Sequence, residues 1–138
     1  MRFLLDTNVL SEPCKPQPDQ AVLRKLQQWN NQLCTAAPVW NELLFGLFRL
    51  PNSKKRQGFS RYLREVLEPG LVVLPYDARA ADWHASERAR LGRLGQTPAF
   101  VDGQIAAVAR THGLTLVTRN VRDFSAFEEL EVVDWSSG

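Results

Sequence analysis

Four carboxylates could do chemistry together in this chain of 138 residues. Asp6 ends the apolar run Phe3-Leu4-Leu5, and Glu42 stands one turn after Pro38. Asp102 follows Pro98 by the same interval, and Asp123 closes the run Thr118-Arg119-Asn120-Val121-Arg122. Carboxylates drawn to one place suit hard divalent cations, because Mg²⁺ and Mn²⁺ take oxygen ligands and keep several waters. A cation held that way polarises a phosphate oxygen and lowers the pKa of the attacking water. Each residue also has a plainer use. Asp6 can cap a helix that begins at Thr7. Glu42 can be a solvated helix glutamate, and Asp102 can favour the positive end of its helix. Asn120 and Asp123 are turn and cap types ahead of Phe124-Ser125-Ala126-Phe127. Spacing alone leaves both readings open.

The elements that must position these residues alternate along the chain. Arg2 to Leu5, Leu33 to Ala37, Leu71 to Leu74 and Leu114 to Thr118 read as short apolar strands, with Glu131 to Asp134 as a last one. Helices fill the intervals. Asp19 caps one carrying Val22, Leu23, Leu26 and Trp29, and Pro38 opens one carrying Val39, Leu43 and Leu47. Ser53 caps a helix stopped by Pro69-Gly70, Asp77 opens one to about Leu91, and Pro98 starts one closed by Gly113. The Gly92-to-Pro98 stretch reads as a loop. Strands that are apolar without alternation belong to a sheet covered on both faces. The expected fold is therefore α/β, one domain over residues 1–138. Its central, mostly parallel sheet has four or five strands with helices on both faces. In such sheets ligands gather beyond the carboxyl ends of the strands, where Asp6, Thr118, Asn120 and Asp123 fall.

Several other chemistries are excluded. His84 and His112 are far apart in sequence, and His112 before Gly113 suits a helix C-terminus. Gly92-x-x-Gly95 follows no strand, so it is no dinucleotide fingerprint. There is no Gly-x-Ser-x-Gly elbow. Cys14 and Cys34 form neither a disulfide framework nor a zinc site, and no apolar run approaches a membrane span. A reducing cytoplasm is the expected home. Trp29, Trp40, Trp83 and Trp135 read as core or interface anchors.

The motifs that remain carry a resemblance. Asp6-Thr7-Asn8-Val9-Leu10-Ser11-Glu12 resembles the opening motif of PIN-domain nucleases, and Glu42-Leu43 with Gly46 is similar to their second. Asp102-Gly103-Gln104-Ile105-Ala106-Ala107-Val108-Ala109 is similar to the third, and Leu116 to Phe124 to the fourth. Order, spacing and length resemble the VapC-type toxins of bacterial toxin–antitoxin pairs. The resemblance implies metal-ligand and catalytic roles for Asp6, Glu42, Asp102 and Asp123, with Mg²⁺ or Mn²⁺ as cofactor. It implies supporting roles for Thr7, Asn8, Thr118 and Asn120. The implied activity is metal-dependent endoribonuclease, the toxin of a pair, acting as a homodimer and silenced by a cognate antitoxin protein. A DNA-directed or flap-type nuclease and a catalytically silent protein-binding module are the alternatives. The chain departs from the family at Val39, where many relatives have Thr or Ser, and at Arg119, where a small residue is common.

Charge distribution agrees with a polyanionic substrate. The chain carries 17 basic and 15 acidic residues, a formal net charge of +2. Arg49, Lys54, Lys55, Arg56, Arg61 and Arg64 occupy a stretch that has no acidic residue. Such runs are usually a solvated face. Beside an acidic site they can also meet phosphates, so Lys54, Lys55, Arg56 and Arg119 are the expected RNA contacts.

Overall fold

The computed structural model describes residues 1–137. Five parallel strands form one sheet in the order β3-β2-β1-β4-β5. β1 (Phe3–Leu5) and β4 (Thr115–Val117) lie at its centre and bury every side chain. That explains their continuous apolar sequence: with both faces covered, neither set of alternate positions meets water. β2 (Leu33–Ala36) pairs Cys34 against Leu4, and β3 (Val72–Leu74) forms one edge, with Val72 and Val73 exposed. β5 (Val132–Val133), only two residues long, forms the other.

Seven α-helices connect and cover the strands among the described residues: α1 (Thr7–Leu10), α2 (Gln20–Gln28), α3 (Ala37–Phe48), α4 (Lys54–Arg61), α5 (Ala78–Arg93), α6 (Phe100–Thr111) and α7 (Val121–Phe124). The expected caps are present. Asp19 accepts from the Ala21 and Val22 N–H groups, Ser53 from Arg56 N–H, and Asp77 from Ala80 N–H. Gly113 adopts φ +65° after α6, a turn that L side chains resist. Each strand is one residue shorter than expected at one or both ends, and two helix boundaries shift by two residues. α5 runs two residues past Leu91, and α6 starts at Phe100, after Ala99 with ψ 138°.

The helix expected to end at Pro69 changes its winding. After α4 it continues as a π-helical segment over Tyr62–Leu67. This turn buries Leu63 completely and lets the Tyr62 hydroxyl donate to the Leu10 carbonyl at 2.6 Å. The tryptophans anchor the core as expected. Trp29 and Trp135 meet Phe3 edge-on, with centroids 5.2 and 5.0 Å away, and Trp40 and Trp83 pack against the same core. No helix of the described residues is long and apolar enough to cross a membrane, and both cysteines are free thiols.

Candidate active site

The carboxyl ends of β1 and β4 are tied together by a carboxylate and a hydroxyl. Asp6 follows β1, and its own N–H donates to the Val117 carbonyl of β4 at 3.0 Å. One side-chain oxygen accepts Thr7 N–H at 2.8 Å; the other accepts the Thr118 hydroxyl at 2.8 Å. Asp6 therefore does cap α1, and the same carboxyl also ties that turn to Thr118 after β4. Thr118 is fully buried and accepts in turn from Asn8 Nδ2 and from Asn120 N–H. Asn8 Oδ1 accepts Arg119 N–H. Thr7, Asn8, Thr118 and the Asn120 backbone thus form one network around Asp6.

Glu42 reaches this network from α3. The Thr7 hydroxyl donates to Glu42 Oε2 at 2.8 Å, although the residues are 35 positions apart. The hydroxyl partner that Val39 does not supply comes from the first residue of α1 instead, while Val39 is buried in the core. Asp102 sits in the first turn of α6, and Asp123 lies on α7, which Phe124 anchors by burying its ring.

Asp6 and Asp102 each feel the charges of Glu42 and Asp123. Burial pushes the Asp102 carboxyl up to about 6, with further upward pressure from Asp6, Asp123 and Glu42. Asp6 is also raised. Burial outweighs the hydrogen bonds from Thr118 and Thr7, and the charges of Glu42 and Asp123 add to it. Mutual repulsion of this kind is relieved by a cation. As they stand, no three His, Cys, Asp or Glu side chains among the described residues close tightly enough to enclose an ion. All four candidate donors are carboxylates, and Glu42 and Asp123 are exposed. Such a donor set fits a hard cation that keeps part of its water shell, as Mg²⁺ does.

The sequence profile of the PIN domain matches residues 3–130. The chain belongs to the PIN-domain family. A VapC ribonuclease of Sinorhizobium fredii is 38% identical over 127 residues, covering 90% of this chain and 91% of that protein. The toxin FitB of Neisseria gonorrhoeae is 34% identical over 136 residues, covering 96% and 98%. A crystal structure of FitAcB from Neisseria gonorrhoeae superposes with a TM-score of 0.88 at 34% identity, covering 96% of this chain and 97% of that one.

The basic residues of this PIN domain divide in two. Arg56 Nη1 donates to the Phe48 and Leu50 carbonyls at 3.1 and 2.7 Å, so this guanidinium holds the end of α3. Arg119 Nη1 binds Glu12 at 2.7 Å. Both were expected at phosphates, and both have a guanidinium nitrogen committed to the protein itself. Lys54 and Lys55 are exposed, make no ion pair among the described residues, and border a groove shared with Ser11 at the far end of α1.

Two buried polar groups went unread in the sequence. Glu12 is 1% exposed and accepts from Asp19 N–H, Lys15 and Arg119. Those donors hold its carboxyl below the usual range, the Asp19 backbone most strongly. His84 is buried against Gly103 of α6, and its Nδ1 pairs with the Tyr76 hydroxyl at 2.9 Å. A signal existed for the second: Ala80, His84, Glu87 and Leu91 fall on one helical stripe, and all four are buried.

Proposed function

We propose that this PIN domain is a metal-dependent endoribonuclease and the toxin of a toxin–antitoxin pair. One observation carries the reading: Asp6, Glu42, Asp102 and Asp123, from four separate elements, act on one another electrostatically at the sheet's carboxyl edge. The names of the relatives, a ribonuclease and a toxin, support RNA as substrate. Asp6, Glu42, Asp102 and Asp123 would hold Mg²⁺ or Mn²⁺. A bound cation supplies Lewis acidity toward a phosphate oxygen and an acidified water, so hydrolysis leaves a 5′-phosphate and a 3′-hydroxyl. The chain's own contribution is positional. Thr118 and Thr7 N–H fix both oxygens of Asp6, the Thr7 hydroxyl aims Glu42, and half-buried Asp102 keeps its charge out of bulk water.

Lys54 and Lys55 are the contacts we assign to the RNA backbone. Affinity for single-stranded RNA should fall as salt rises, through release of counterions. Changing both lysines to Ala should flatten the slope of log affinity against log salt by about 1.4, since each single-strand phosphate contact contributes about 0.7. Binding isotherms at several salt concentrations, in chelator to prevent cutting, read this directly. An unchanged slope would place the RNA on another face.

The toxin role is tested in cells. Expression of this chain alone in the cytoplasm should arrest growth. Co-expression of a small protein encoded beside it should restore growth by binding tightly as the antitoxin. The working form we assign is a homodimer, supported by the exposed Phe45 and Phe48 of α3, and its mass in solution should be twice the chain's. Harmless expression at every level would sink the toxin role.

A further inference from the structure

A cavity reaches the candidate site at Glu42. It measures about 480 Å³ and lies between the first turns of α3, the Pro75-Tyr76 link after β3 and the start of α6. It therefore sits beyond the carboxyl ends of β2 and β3, where parallel sheets bind ligands. Its volume is in the range of sites that enclose a small organic group. Glu42 forms part of its lining, so the cavity opens onto the candidate site itself.

Its walls are chemically mixed. Pro38, Tyr76 and Val101 are aromatic or apolar, and Asn41 and Gln104 contribute side-chain amides. Neither amide makes a hydrogen bond among the described residues, whereas the Tyr76 hydroxyl is paired with His84 Nδ1 at 2.9 Å. An amide presents a donor and an acceptor side by side, the pattern that reads the edge of a nucleobase. Aromatic and apolar walls are what an unstacked base of single-stranded RNA lies against. Along α3 Asn41 directly precedes Glu42, and on α6 Gln104 follows Asp102 by two residues.

We propose that this cavity receives the base of a nucleotide flanking the scissile phosphate, and that Asn41 and Gln104 determine which base is accepted. This rests on the ribonuclease reading above. The wall is formed before RNA arrives. Tyr76 is fixed through His84, which is itself 2% exposed and packed on Gly103 and Phe100. A preformed pocket loses little to ordering when it binds, so a pair of amide hydrogen bonds can be expressed as discrimination. An opposing use exists, a side chain of a protein inhibitor seated in the same cavity, and the experiment separates the two.

The test is cleavage of a randomised single-stranded RNA library by the full chain in Mn²⁺, with sequencing of both product ends. Wild type should show a base preference at one position beside the cut. Gln104→Ala and Asn41→Ala should each reduce that preference about tenfold while cutting continues. Lys55→Ala should lower cutting evenly across sequences and leave the preference intact. Melting temperatures of the two amide variants should match wild type, because neither amide is bonded within the fold. Unaltered preference in both variants would overturn the proposal and leave the cavity to a protein ligand, and so would wild-type cutting without any base preference. Wild type that cuts no RNA would instead sink the ribonuclease reading, and the base pocket with it.

Discussion

Asp102→Asn should lower RNA cleavage roughly a thousandfold, about 4 kcal/mol of transition-state stabilisation, and raise the melting temperature of the metal-free protein. The second half follows from the carboxyl's environment. Burial, and then Asp6, Asp123 and Glu42, raise it from 3.8 to about 6. A raised carboxyl means that the folded state holds a proton the unfolded chain releases. Its contribution to stability is therefore complete below about pH 4 and is lost as pH climbs through about 6. The Asn variant cannot ionise at this position, so its stability advantage over metal-free wild type should grow as pH rises through that window. At pH 7 the variant should be more stable by about 1–2 kcal/mol after allowance for solvent screening, or roughly 3–6 °C. Excess Mn²⁺ at a hundred times its dissociation constant should return about 2.7 kcal/mol to wild type and far less to the variant. Melts in chelator and in Mn²⁺ at pH 5 and 7 decide the matter. A variant that melts lower in chelator and gains as much from Mn²⁺ would make Asp102 an ordinary residue of a helix N-terminus. Asp6→Asn is a poorer probe. Asp6 accepts from both Thr7 N–H and the Thr118 hydroxyl, and an amide must turn a donor toward one of them, which costs about 1 kcal/mol.

What was legible in the sequence is what depends on short range. Apolar runs without alternation announced parallel strands, fully buried in β1 and β4 but exposed at the β3 edge, and Asp19, Ser53 and Asp77 announced their helices because a cap and its N–H lie within three residues. The order β3-β2-β1-β4-β5 was not readable, since nothing local tells a strand which neighbour it will have. The same holds for charge. Arg56 looked like one more cation in a basic run, but its guanidinium ends on two carbonyls six and eight residues earlier. Arg119 finds Glu12, 107 positions away, and Glu12 looked like the unremarked end of a motif. The four carboxylates were legible only because their motifs resembled a family. The Thr7–Glu42 bond and the raised carboxyl of Asp102 are what the structure adds to those motifs.

Gly103→Ala should cost about 3 kcal/mol, a loss on the order of 10 °C in melting temperature. Gly103 lies in the middle of the α5–α6 contact. A Cβ added there would stand 2.1 Å from His84 Nε2 and 2.6 Å from its Cδ2, well inside any tolerable approach. The ring has nowhere to go. Its Nδ1 is paired with Tyr76, its ring centroid is 4.8 Å from that of Phe100, and the residue is 2% exposed. The helices must therefore separate, since a close-packed interior absorbs an added methyl only by moving backbone. Because Asp102 is the preceding residue of α6, that movement also displaces a site carboxylate, and cleavage should fall along with stability. Two controls make the cause specific. Gly46→Ala on α3, where an added Cβ meets nothing within 4 Å, should be neutral or stabilising by about 0.5–1 kcal/mol, the ordinary helix preference for Ala. His84→Ala in the Gly103→Ala background should recover part of the loss, because it removes the obstructing ring. Urea melts of the four proteins read the whole argument. If Gly103→Ala melts with wild type, α5 and α6 yield at no cost, and His84 does not set the position of Asp102.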